Sequence, residues 1–253
     1  CEDRYDYLEK KMKFQDSEWE IRFKEKQSAS FIGQMEGFLA MLEEDLVNIR
    51  SFTFKGFHKT EEEIIHLFYF KFQTVPLLAR MDAVMEYLID EYETLRGKNI
   101  SEEDMEALRE TFQKMYVTTD LYEIYGWLLK DCGYPELSNA EYERRKLEYE
   151  DVFPMLYLKY RLKGSRKHKN IKHLVIDEMQ DYSYLQYSIL SMLFHCRMTI
   201  LGDRAQTMDS ECQDVTKFLP KIFGRKIRKI VMNKSYRNTL EIAEYAERIR
   251  GGE

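Results

Sequence analysis

Two adjacent carboxylates end a short apolar run, Leu174-Val175-Ile176-Asp177-Glu178, and Met179-Gln180-Asp181 follows them. Acids delivered together to the edge of a buried strand suit a magnesium-binding Asp beside a Glu that takes a proton from an attacking water. The same pair could equally close a strand and merely face solvent. A second apolar run, Met198-Thr199-Ile200-Leu201, leads into Gly202-Asp203-Arg204-Ala205-Gln206, which would set a carboxamide beside the acids if the two runs are neighbouring strands. A third, residues 227–232, precedes Asn233-Lys234-Ser235-Tyr236-Arg237-Asn238, where an aromatic ring adjoins a guanidinium in a basic stretch. Arg237 is there either a phosphate sensor or a salt-bridging surface residue.

Such residues have to be held by a parallel α/β arrangement, because ligands of open parallel sheets bind at the carboxyl ends of the strands. Between the first two runs, Leu185, Ile189, Leu190 and Leu193 mark the connecting helix. Upstream of Gly164 the period is helical. Over residues 17–50, Trp19, Phe23, Phe31, Met35, Phe38, Leu39, Leu42 and Leu46 recur at threes and fours, as one long helix or two shorter ones with a weak break at 28–30. Thr60 with Glu61, Glu62 and Glu63 predicts an N-cap, a capping box and an acidic first turn. Residues 77–96 predict a further helix closed by Gly97, and Ser101 with Asp104 opens the next. Helices near 119–131 and 138–162 follow, parted by a Gly133-Tyr134-Pro135 turn. The expected class is α/β but mostly helical: helices alone through residue 165, then three parallel strands with flanking helices between 170 and 235.

Composition agrees with that plan. A chain of 253 residues with 44% hydrophobic and 14% aromatic content can bury a sizeable core, which excludes disorder as a description of the whole. Only 11 Gly and 4 Pro favour long helices over a loop-rich β fold. No apolar run reaches the ~18–20 residues of a membrane span and no secretory leader opens the chain, so no membrane partner and a cytoplasmic location are expected. Cys1, Cys132, Cys196 and Cys212 lack the spacing of a zinc site or a disulfide framework. The net charge of −6 divides unevenly: residues 1–160 hold 21 Lys and Arg against 34 Asp and Glu, a net of −13, whereas residues 161–253 hold 18 against 11, a net of +7. A phosphate-bearing ligand or nucleic acid would be repelled by the first part and attracted by the second.

The three signals, in this order and spacing, resemble superfamily 1 helicases of the UvrD/Rep type. Val175-Ile176-Asp177-Glu178-Met179-Gln180-Asp181 looks like their Walker B motif, Leu201-Gly202-Asp203-Arg204-Ala205-Gln206-Thr207-Met208 like their motif III, and Ser235-Tyr236-Arg237-Asn238 like their motif IV. The acidic helical lead-in, residues 149–164 and the wording Asn233-Lys234-Ser235-Tyr236-Arg237 are most similar to the helicase IV/HelD branch, which includes a motor that recycles bacterial RNA polymerase. The resemblance implies ATP and Mg2+ as cofactors. Asp177 would hold the magnesium, Glu178 would activate the hydrolytic water, Gln206 would read the γ-phosphate, Tyr236 would stack on the adenine and Arg237 would act as an arginine finger. It implies as well a helical insertion of the 1B or clamp-arm kind over residues 1–165, the later part of a RecA-like P-loop NTPase motor domain over 166–232, and the start of a second motor domain at 233–253. Implied partners are single-stranded or duplex DNA, or RNA polymerase.

Two departures from the family pattern matter. Where many relatives continue motif III with an aromatic that stacks single-stranded DNA, this chain reads Met208-Asp209-Ser210-Glu211. Nor does it contain G-x-x-x-x-G-K-[ST], the loop whose N–H groups and Lys cradle phosphates; Gly97-Lys98-Asn99 is the closest fragment. An internal piece of a longer protein is therefore expected, inactive in ATP hydrolysis on its own. The run Arg161, Lys163, Arg166, Lys167, Lys169, Lys172 reads as a nucleic-acid or phosphate contact or as a solvated linker. Two function classes stand: a nucleic-acid-stimulated ATPase, and a polymerase-binding recycling factor whose acidic helical arm competes for basic walls.

Overall fold

A computed structural model describes residues 17–165, 167–202, 215–224 and 226–232, with Ile242, Tyr245 and Arg248. The first apolar stripe is two helices, α1 (Ser17–Lys26) and α2 (Ala29–Asp45). They part at Ser28, whose hydroxyl accepts from the Phe31 N–H at 3.2 Å and so satisfies an orphan donor of α2.

The expectation of helix alone through residue 165 fails at once. Strands β1 (Phe52–Phe54) and β2 (Phe57–Lys59) form an antiparallel hairpin with Phe52 opposite Lys59 and Phe54 opposite Phe57. Its two-residue loop puts Lys55 at φ 44° and Gly56 at φ 79°, the backbone sense that matches the twist of paired strands. Aromatic alternation explains the departure: Phe52 packs on Phe112 at 4.9 Å, and Phe54 and Phe57 edge onto Tyr92 at 5.2 and 5.8 Å.

Helix α3 (Glu61–His66) has the expected capping box, with the Glu63 N–H donating to Thr60 at 3.3 Å and the Thr60 N–H donating to Glu63 at 2.8 Å. It runs into one π turn, Leu67–Lys71, closed by the Phe72 N–H on the Leu67 carbonyl at 2.9 Å. Helix α4 (Leu77–Arg96) ends on left-handed Gly97, and Ser101 caps α5 (Glu102–Gln113). After α6 (Leu121–Asp131), the expected helix from 138 begins only at α7 (Tyr149–Lys163); before it the chain is irregular save for a 3-10 turn at Tyr142–Arg144. Side chains hold that segment open. The Tyr122 hydroxyl donates to the Ser138 carbonyl at 3.1 Å, Arg145 pairs with Asp120, and Leu147 is fully buried.

Parallel strands β3 (His173–Ile176) and β4 (Arg197–Ile200) flank α8 (Tyr184–Leu193), and α9 (Val215–Phe223) packs on α8. The expected third strand is absent from residues 226–232, where Ile230, Val231 and Met232 stand exposed. An apolar run becomes a strand only with a partner to complete its ladder, and no described segment supplies one. The described residues therefore hold two strands of the anticipated sheet.

One large core runs from Phe31 to Ile189. It takes in α2, α4, α7 and also Leu185 and Ile189 of α8, so the helical part and the strand-bearing part share it. A smaller one, of Ile176, Tyr187, Phe218 and Leu219, lies under one face of β3 and β4. No helix among the described residues is long and apolar enough to cross a membrane.

Candidate functional site

In-register pairing of Ile176 with Ile200 brings the ends of β3 and β4 side by side. The ladder continues past the strands, with the Leu201 N–H donating to the Ile176 carbonyl and the Met179 N–H to the Leu201 carbonyl, both at 2.8 Å. Asp177 and Glu178 thus sit at the carboxyl edge, both exposed. Glu178 has φ 50°, a left-handed conformation that costs on the order of 1–3 kcal/mol for a non-glycine residue and persists where its surroundings enforce it.

Those surroundings can be named. The Glu178 N–H donates to Asp177 Oδ1 at 2.9 Å, and Gln180 Nε2 donates to Glu178 Oε2 at 2.6 Å. Below the loop, the fully buried Tyr187 donates its hydroxyl to the Met179 carbonyl at 3.0 Å. Burial pushes the Tyr187 phenol far above its ordinary range, with Tyr182 adding to the effect, so it stays a donor. Ser183 caps α8 with Gln186 in a capping box and donates its own hydroxyl to Gln27 Oε1 at 2.8 Å, while the Leu185 N–H donates to the Gln27 carbonyl at 3.2 Å. The last residue before the α1–α2 break is in this way latched to the helix that follows the acids.

Gly202 closes the loop from the other side. A Cβ there would lie 2.3 Å from Met179 Cγ and 2.8 Å from both Gln180 Oε1 and the Met179 backbone nitrogen. Gly202→Ala should therefore destabilise by roughly 1–3 kcal/mol through overpacking and displace residues 178–180. A thermal melt checks it: a variant with an unchanged midpoint would mean that the loop is not held by this contact.

Asp177 and Glu178 are thus brought together, whereas Gln206, Tyr236 and Arg237 lie outside the described residues. Gln180, Tyr187 and Gln27 were not singled out by sequence reasoning. Only Gln180 left a signal there, two residues after Glu178 in the acidic run. Gly97-Lys98 closes α4 and builds no phosphate loop. Away from the acids, a cleft of about 670 Å3 among α2, α4 and α7 has Glu36 paired with Arg161 and Glu43 with Arg80, and Lys167 stands at its lining as well.

No curated protein matches the chain. The sequence profile of the UvrD/REP helicase N-terminal domain matches residues 8–208, a span holding both acids and most of the helical part. An acid pair delivered by a parallel strand, inside a match that covers most of the sequence, settles the kinship: the chain belongs to the UvrD/REP helicase N-terminal domain family.

Proposed function

We propose that the chain is the Walker B-bearing part of an ATP-dependent, UvrD-like DNA helicase or translocase. The observation that carries this reading is the carboxyl edge of β3, where Asp177 and Glu178 stand exposed and Glu178 is oriented by Gln180. The donor set fits magnesium, a hard cation held by one or two carboxylates together with substrate phosphates. When bound, Mg-ATP supplies the phosphoryl group to be transferred. Asp177 would then ligate the metal, and Glu178 would take the proton of the attacking water with its carboxylate fixed by Gln180. Gln206 as γ-phosphate reader, Tyr236 as adenine platform and Arg237 as finger rest on the motif resemblance. So does the division into an insertion at 1–165, a first motor domain at 166–232 and the start of a second at 233–253.

One observation favours a second reading, a HelD-like RNA polymerase recycling factor. Glu61, Glu62, Glu63, Glu102, Glu103, Glu106 and Glu110 all stand exposed on α3 and α5, and such a surface suits a basic-walled channel better than a duplex. ATP turnover of the full-length protein separates the two. Stimulation by single-stranded DNA is the expected result; stimulation by RNA polymerase without any response to DNA would move the function to the second reading.

A further inference from the structure

The end of the β3–β4 pair opposite the acids has a charge of its own. Residues 152–176 hold Lys159, Arg161, Lys163, Arg166, Lys167, Lys169 and Lys172 and no acid at all, and residues 182–202 hold Arg197 and again no acid. Arg161 is taken up by Glu36, at 2.6 and 2.7 Å. Lys167, Lys169, Lys172 and Arg197 are exposed and have no ion-pair partner among the described residues.

The fold gathers these cations. The loop before β3 is tied to the end of α8 by the His168 N–H on the Leu193 carbonyl at 3.1 Å, and the His168 ring stacks on Phe194 at 5.0 Å. Lys172 reaches back to the Lys169 carbonyl at 3.5 Å, and the register that sets His173 beside Arg197 brings the fourth cation alongside. Helix α9 runs in the same sense as α8, since Tyr184 meets Phe218 and Tyr187 meets Phe223, and so heads for this end; the exposed Lys226, Arg228 and Lys229 follow it.

Two bland explanations fall short. The carboxyl end of α8 carries about half a negative charge, enough to favour one nearby cation and not four. The acids do not neutralise the cluster either. Lys172 and Asp177 are five strand residues apart, roughly 16 Å at ~3.3 Å per residue, about twice the ~8 Å screening length of physiological salt.

We propose that this N-terminal edge, with Lys167, Lys169, Lys172 and Arg197, is a contact surface for the phosphate backbone of single-stranded nucleic acid. A cluster of cations with no acid among them suits a regular polyanion, and the stacked His168–Phe194 pair offers a base a flat aromatic face. The strand would lie at the far end of the sheet from the acids, so nucleotide and nucleic acid do not compete for one site. The proposal rests on the nucleic-acid side of the functional reading and not on its ATP chemistry, and its test contains no ATP.

The probe is a fluorescently labelled oligo-dT, with binding to the 253-residue chain followed by anisotropy across a salt series. In the triple variant Lys169→Gln/Lys172→Gln/Arg197→Gln, the slope of log K against log salt should shrink by about 2, at ~0.7 per lost phosphate contact, and affinity near 50 mM salt should fall on the order of a hundredfold. If circular dichroism shows that the triple variant does not fold, Lys169→Gln and Lys172→Gln singly should each lower the slope by ~0.7. Unchanged affinity and slope would overturn the proposal. So would a wild-type chain that ignores the oligonucleotide, whether or not it binds polyglutamate or anionic vesicles instead.

Discussion

Glu178→Gln should lower ATP turnover of the full-length protein by on the order of 10²–10⁴-fold while Mg-ATP still binds. The swap keeps the shape of the side chain and removes the proton acceptor. Local geometry favours a clean result, because a Gln at 178 can still accept the Gln180 amide through its carbonyl oxygen, and the Glu178 N–H would keep its bond to Asp177. Asp177→Ala should act differently: it takes away the carboxylate proposed to ligate magnesium together with the acceptor that supports the left-handed backbone at 178, so on that proposal Mg-ATP affinity itself should drop. Turnover assays alongside a Mg-ATP titration separate the two effects. Full turnover in Glu178→Gln would leave the acids as a strand end that faces water.

The greatest loss of stability is expected from Lys26→Met. Lys26 is 1% exposed, and its ammonium donates to Glu150 at 2.8 Å and Asp151 at 2.5 Å, two acids that are 3% and 4% exposed; Asp151 also accepts the Tyr125 hydroxyl at 2.6 Å. Burial costs each charge several kcal/mol, and removing one partner of such a cluster typically costs 3–5 kcal/mol, because uncompensated charge stays inside. Arg22, at 3.1 Å from Glu150, is too exposed to replace the ammonium. Burial raises the Asp151 carboxyl above its ordinary value, against the downward pull of Lys26 and Tyr125. The folded state then holds that proton more firmly than the unfolded chain. Its contribution to stability is full below the unfolded value, about 4, and fades as pH rises through the folded value. Without Lys26 the downward pull weakens and the fade extends to higher pH, so the deficit of the variant should be large at pH 7 and narrower near pH 4. Urea unfolding at the two pH values measures this; an equal deficit at both would show that the cost is lost packing.

How much of this was legible depended on whether the signal was local. Caps are local: Thr60 with Glu63, Gly97, and Ser101 with Asp104 all stand where their residue types put them. The α1–α2 break was visible in its serines, and the acid pair was visible because an apolar strand ending in two carboxylates is a pattern within seven residues. The hairpin at 52–59 hid inside a helical region, although Phe52, Phe54 and Phe57 alternate around Lys55-Gly56. Residues 227–232 erred the other way, since β-branched apolar residues state a preference and not a partner. The latch from Gln27 to Ser183, 156 positions apart, leaves no trace in either local sequence.

That latch belongs to a set of very distant closures. Lys26 meets Asp151 across 125 positions, Glu36 meets Tyr157 across 121, and Gln27 meets Ser183 across 156. Helices α1 and α2 therefore cannot finish their core when they are first made, and Phe31, Met35, Phe38 and Leu42 must wait for α7 and α8. At ~5–20 residues per second of synthesis, the wait is roughly 6–30 s on the ribosome. During that interval the apolar stripe of α2 stays uncovered on the nascent chain, a surface a chaperone can bind, and completion of this core is paced by the arrival of α7 and α8.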